Sequence, residues 1–102
     1  MSYLMRRLVT LSIRVKSQFK KDLKKAERDP NKNTELLKSL IKDYLVQNQV
    51  PPMKYKPHTL TGNWKPHQEC HIQPDFLLIW DVNNKESELI LVRCGSHADL
   101  FG

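Results

Sequence analysis

Phe76-Leu77-Leu78-Ile79-Trp80-Asp81-Val82 and Glu88-Leu89-Ile90-Leu91-Val92-Arg93-Cys94 are two apolar runs of strand length, with Asn83-Asn84 between them. Branched and aromatic side chains bounded by asparagines read as a β-hairpin. A third run, about Trp64 to Ile72, precedes them behind the turn residues Thr61-Gly62-Asn63. The end of the chain is therefore an antiparallel meander. It needs something to cover it, because a sheet with an apolar face is stable only against another layer.

The cover lies upstream. Val15, Phe19, Leu23 and Ala26 draw one apolar stripe on a helix whose other faces carry Lys16, Lys20, Lys21, Lys24 and Lys25. Asp29-Pro30-Asn31 stops it, since proline cannot continue the hydrogen-bond ladder. Asn33 is placed to cap a second helix, with Glu35 in its first turn and Leu36, Leu37, Leu40, Ile41, Tyr44 and Leu45 as its apolar face. Leu8 to Val15 reads as an opening strand. Gln49 to Leu60, interrupted by Pro51, Pro52 and Pro57, reads as an extended loop. The order is β-α-α-β-β-β, an α+β fold with an antiparallel sheet packed against two N-terminal helices. Its 102 residues make one domain, 1–102.

No apolar run approaches the roughly 20 residues that cross a bilayer. The start of the chain is too interrupted for a secretory signal, so the expected location is cytoplasmic, with no membrane partner. Cys70 and Cys94 fall inside strands and read as buried thiols in a reducing compartment. The net charge of +6 is unevenly spread: residues 1–65 hold 15 Lys/Arg against 5 Asp/Glu, and residues 66–102 hold 2 against 6. The basic half suits a polyanion such as nucleic acid, although lysine-rich helices are as often simply solvated.

Three of the four histidines lie from residue 67 onward. Strand parity puts His67, Glu69 and His71 on one face and Gln68, Cys70 and Ile72 on the other. Two imidazoles and a carboxylate suggest a metal, but alternate strand positions are roughly 6–7 Å apart while zinc ligands converge within about 2 Å of one point. A polar strand face or an acid–base site fits better, and no cofactor or metal is expected. Asp75 follows Pro74 beside an apolar run, where desolvation raises a carboxyl pKa and suits it to accept a proton. By position alone it is more commonly a turn aspartate bonding local amides. His97 follows Gly95-Ser96 past the last strand; His58 sits beside Lys54 and Lys56; Phe101, by position, is a core plug. Cutting RNA without metal requires one group to deprotonate the ribose 2′-OH, another to protonate the departing 5′-oxygen, and cations to steady the phosphate. Imidazoles suit both proton roles.

In these residues the chain resembles the YafQ-type branch of the RelE-like toxins, within the RelE/ParE superfamily of type II toxin–antitoxin systems. The matching elements are His58-x-Leu60-x-Gly62-x-Trp64-Lys65, then Cys70-His71-Ile72-x-Pro74-Asp75, then Arg93-x-Gly95-x-His97-x-x-Leu100-Phe101. Residues 1–57 match only in layout. The resemblance implies a metal-independent endoribonuclease, an mRNA interferase that cuts mRNA in the ribosomal A site. His58, His71, Asp75, His97 and Phe101 would form its active site. His97 is expected as general acid and Asp75 as general base, with Lys56, Lys65 and Arg93 on RNA phosphate. Arg93 has a plainer alternative, a strand-face salt bridge to Glu69 or Glu86. The implied partners are mRNA, the ribosome (16S rRNA against the lysine-rich helices) and a cognate antitoxin, typically of ribbon-helix-helix type, through which alone DNA is reached. Gln68 and His67 stand where relatives often carry an arginine and a larger apolar or aromatic residue, and Met1–Arg7 is a longer leader than usual. Two other readings keep the scaffold but not the chemistry: a toxin that poisons a protein target, and a plain RNA-binding module.

Overall fold

The computed structural model describes residues 10–64 and 66–102. Leu8 and Val9 of the expected opening strand, and Lys65, lie outside the described residues. The strands are β1 (Ser12–Val15), β2 (His58–Thr59), β3 (Gln68–Gln73), β4 (Phe76–Asn83) and β5 (Glu88–Gly95), in the spatial order β1-β5-β4-β3-β2. Helix α1 spans Ser17–Glu27 and α2 spans Thr34–Leu40, while α3 is the C-terminal turn His97–Phe101. The meander β3-β4-β5 is antiparallel as expected, and β2 adds to it antiparallel. β1 joins the far edge parallel to β5, because the intervening helices carry the chain back over one face before the meander begins.

Both expected helices form. Asn33 caps α2 by accepting the Leu36 N–H at 3.0 Å. From Ile41 to Leu45 the helix widens into a π turn in which the Val46 N–H reaches Ile41 O at 2.9 Å. Val46 O then accepts the Leu11 N–H at 2.8 Å, stapling the chain ahead of β1 to the end of this helix. Within the loop expected from Gln49 to Leu60 the structure has a 3-10 turn at Met53–Tyr55 and the two-residue strand β2. A second 3-10 turn at Gly62–Trp64 delays β3 to Gln68.

β4 is buried on both faces from Phe76 to Trp80, which is why its sequence reads as an unbroken apolar run rather than an alternating one. On the helical face Phe76, Leu78 and Trp80 join Phe19, Ala26, Leu37, Leu40 and Leu45. On the opposite face Leu77 and Ile79 join Leu100, with Leu60, Trp64 and Val92 against them. That second, smaller cluster fastens α3 to the sheet. Cys70 and Cys94 are buried free thiols, each pushed up to about 12 by burial. Both pair with Leu78 from opposite sides. Their Cα atoms are thus two strand spacings apart, about 9–10 Å, beyond disulfide reach.

β1 is too short to cover β5. It pairs with Glu88 to Leu91, and Asp22 of α1 takes over beyond. Its carboxylate accepts the Cys94 N–H at 3.1 Å and the Arg93 guanidinium at 2.6 and 3.2 Å. The salt-bridge partner of Arg93 is thus Asp22, neither Glu69 nor Glu86. Asp22→Ala leaves an edge amide and a half-buried guanidinium unsatisfied, at a cost of about 2–3 kcal/mol. The expected thermal melt shifts down by about 10 °C or more. Asp22→Asn, which retains an acceptor, loses less, and an unchanged melt in Asp22→Ala would contradict this account.

Candidate active site

The sheet face opposite α1 and α2 gathers the chemistry. β2 brings His58 opposite Glu69 of β3, and parity sets His71 on the same face. The β3–β4 turn carries Asp75, and α3 carries His97 and Phe101 at its two ends. Neighbouring rings follow one another across this face. His58 and His71 are 6.1 Å apart between centroids, His71 and His97 5.7 Å, His97 and Phe101 6.4 Å, and Phe101 and Trp64 5.7 Å.

On the Phe101 side of His71 along this arc lies an aspartate–imidazole pair. Asp75 Oδ1 accepts the His97 backbone N–H at 2.9 Å and stands 2.6 Å from His97 Nδ1. The ring is thereby oriented with Nδ1 on the carboxylate and Nε2 left for other partners. Asp75 is two-thirds exposed, and the hydrogen bonds from the His97 backbone and ring hold its carboxyl below the usual range. The expectation of a carboxyl raised by desolvation is thus reversed: β4's apolar run turns inward and leaves Asp75 in solvent.

At the His58 end, Glu69 is 4% exposed, buried although charged. Its Oε1 lies 3.0 Å from His58 Nε2 and 3.6 Å from His71 Nε2, while Oε2 is buried without a partner. His58 Nδ1 meets the Lys56 carbonyl at 2.8 Å, so both ring nitrogens of His58 face acceptors.

α3 is positioned by its own cap. Ser96 and Asp99 form a reciprocal capping box, and Lys25 of α1 holds Asp99 at 2.9 Å. Gly95 is required beneath it: its φ is +151°, and a Cβ there would sit 3.1 Å from the Asp99 side chain. Lys25 first, then the Ser96 N–H and hydroxyl, pull the Asp99 carboxyl down to about 2. A depressed carboxyl stabilises fully above its unfolded value near 3.9 and loses that effect as pH falls through its folded value. The amide resonances of Ser96 to Phe101 are expected to keep their native shifts at pH 5 and to lose them between about pH 4 and 2. Loss already at pH 5 would show that Asp99 does not anchor the turn.

Of the sequence-derived site, His58, His71, Asp75, His97 and Phe101 converge on this face. Phe101 is 45% exposed against Trp64 and His97, so it is no core plug; Leu100 has that place. Lys56 contributes its carbonyl to His58. Gln68 accepts the Thr59 hydroxyl and by parity belongs to the helical face, so a cation at that position would not reach the imidazoles. His67 packs edge-on to Trp64 with Nδ1 buried and unpartnered. Glu69 is the residue the sequence reading left out. Its parity with His71 was visible, but its contact with His58 depends on β2, which the surrounding prolines conceal.

The small mixed sheet carries helices on one face and an imidazole–carboxylate cluster on the other, the layout that the resemblance to the RelE-like toxins implies. A family model described as the bacterial toxin of type II toxin–antitoxin system, YafQ, matches residues 11–102, and the chain belongs to that family. It is similar to the mRNA interferase toxin YafQ of Escherichia coli K12, with 36% identity over 93% of this chain and all of that one. The E. coli DinJ–YafQ toxin–antitoxin complex contains a chain 37% identical, covering 92% of this chain and 100% of that chain, with a TM-score of 0.79. A metal-bound toxin from Helicobacter pylori is 38% identical over 89% of this chain and 99% of that chain, with a TM-score of 0.79. Here Glu69 Oε1 stands 3.0 Å from His58 Nε2 and 3.6 Å from His71 Nε2. Among the described residues no group of three His, Cys, Asp or Glu side chains is placed to hold a metal ion.

Proposed function

We propose that this chain is the toxin of a type II toxin–antitoxin pair and stops translation by cutting mRNA in the ribosomal A site. The cut is metal-independent general acid–base catalysis in the cytoplasm. The observation that carries this reading is the pair of carboxylate–imidazole units, Asp75–His97 and Glu69–His58/His71, with the His71 and His97 rings 5.7 Å apart. One unit takes the 2′-OH proton as the 2′-oxygen bonds to phosphorus; the other gives a proton to the 5′-oxygen as its bond to phosphorus breaks. The products are a 2′,3′-cyclic phosphate and a 5′-OH. Asp75 orients the His97 ring through Nδ1 and leaves Nε2 facing outward, which suits His97 to the acid role. The base role expected for Asp75 passes to the Glu69 side, because an exposed carboxylate already accepting two N–H groups is a poor proton acceptor. Phe101 flanks the His97 ring, where it orients the substrate.

The outer surface fits the partners the family implies. Among the described residues, ion pairs engage Lys25, Lys32 and Lys38, whereas Lys16, Lys20, Lys21, Lys24 and Lys42 have no acidic partner. These lysines are the proposed contact for 16S rRNA, with counterion release as the driving term. A cognate antitoxin of ribbon-helix-helix type neutralises the toxin and carries any DNA contact.

Primer extension on an mRNA incubated with purified protein, with and without programmed ribosomes, tests the reading. An EDTA arm without ribosomes addresses metal independence. Cuts that need ribosomes and vanish in His97→Gln support it. No cuts in any lane would turn attention to a toxin that poisons a protein target.

A further inference from the structure

A cleft of about 390 Å³ opens beside His71, with Lys54, Tyr55 and Lys56 on one wall and Gln73 and Pro74 on the other. Resting on the nuclease reading above, we propose that this cleft is a nucleotide subsite. It takes the ribonucleotide flanking the scissile bond, with phosphate on Lys54 and Lys56 and the base against Tyr55.

Four observations converge. The cleft shares His71 with the imidazole cluster, so a strand cut there must leave along a neighbouring wall. Neither Lys54 nor Lys56 has an acidic partner among the described residues. Lys54 Nζ sits 5.1 Å from the Tyr55 ring centroid, so basic and aromatic groups alternate here as they do in single-strand RNA grooves. Tyr55 is half-buried, packed against the helical-face core while lining the cleft, so its ring is held in place.

The walls are also set before any ligand arrives. Lys56 is held at φ 52°, a left-handed conformation that costs a side chain of its kind energy, and its carbonyl orients His58. Gln73 is committed to the Asn33 N–H at 2.8 Å and Asn31 O at 3.2 Å. A preorganised cleft spends little entropy on ordering itself around RNA. The volume lies within the range of small-ligand sites and suits one nucleotide.

The test is fluorescence anisotropy with a 5′-fluorescein RNA octamer, 2′-O-methylated throughout so that it is not cut, titrated across a NaCl series. Lys54→Gln/Lys56→Gln keeps the backbone carbonyl that orients His58. It should weaken binding about tenfold or more at low salt and flatten the log K against log[NaCl] slope by about 1.4, for two single-strand phosphate contacts. Lys20→Gln/Lys24→Gln removes equal charge from α1 and should change the slope by less than half as much. Tyr55→Leu should weaken binding about fivefold or more with the slope unchanged. Equal losses in the two lysine pairs would reduce the effect to general charge and overturn the subsite. So would no binding of the octamer by the unmodified protein, which would leave ribosomal RNA as the lysines' phosphate source. Ribosome-programmed primer extension judges the nuclease reading separately, so either can fail alone.

Discussion

His97→Gln is expected to lower cleavage at a mapped mRNA site by about 10²-fold or more, the usual loss when a general acid or base is removed. The fold should be indifferent, because the ring is half-exposed and the backbone N–H of residue 97 still donates to Asp75. An exposed substitution of this kind moves stability within about 0.5 kcal/mol, or about 4 °C in melting temperature. Asp75→Asn offers a check on the mechanism rather than the residue. It keeps an oxygen for the backbone amide but replaces the carboxylate that orients the ring through Nδ1, so activity should fall while the turn stays docked. Full activity in His97→Gln would remove this imidazole from the chemistry and with it the acid half of the proposed site.

How far the sequence reveals this molecule depends on which forces act locally. The hairpin of β4 and β5 was legible because apolar runs and asparagine turns report burial directly, and both helices were legible because their stripes face one core. β2 was not legible: His58-Thr59 becomes a strand only because β3 offers a pairing edge, and nothing in its own neighbourhood demands it. The parallel seat of β1 is likewise a long-range outcome. At the site, motif spacing brought out the residues on separate elements that meet on one face, including both ends of α3. It did not bring out their pairings. Arg93 looked available because Asp22, its partner, is 71 positions away in the chain. Asp75 looked buried because its neighbours are apolar, although they turn away from it.

Those two misreadings change the mechanism more than the residue list. With Arg93 paired to Asp22, the proposed mechanism draws positive charge near the phosphate from the lysines on the loop before β2. With Asp75 committed to His97, the proton acceptor must come from the far side of the arc, where Glu69 is the carboxylate buried behind two rings.

Glu69 therefore supports the second large expectation, in which activity and stability move apart. A carboxylate 4% exposed, with one oxygen lacking any partner, is a costly thing for a small domain to hold. Its retention is explained if the charge serves the proton transfer rather than the fold. Glu69→Gln keeps the shape and an oxygen for His58 but removes the charge. Cleavage should fall about 10²-fold, as for loss of an acid–base partner. The melting temperature should hold or rise by a few degrees, because exchanging a buried charge for a neutral group is often neutral or stabilising. Glu69→Ala adds a cavity and should lose both activity and stability, which separates removing the charge from removing the packing. Single-turnover cleavage and thermal melts on the two variants read the difference. If Glu69→Gln instead melts about 10 °C lower while cutting normally, the carboxylate is a strut for β2, and the base must be sought in His71 alone.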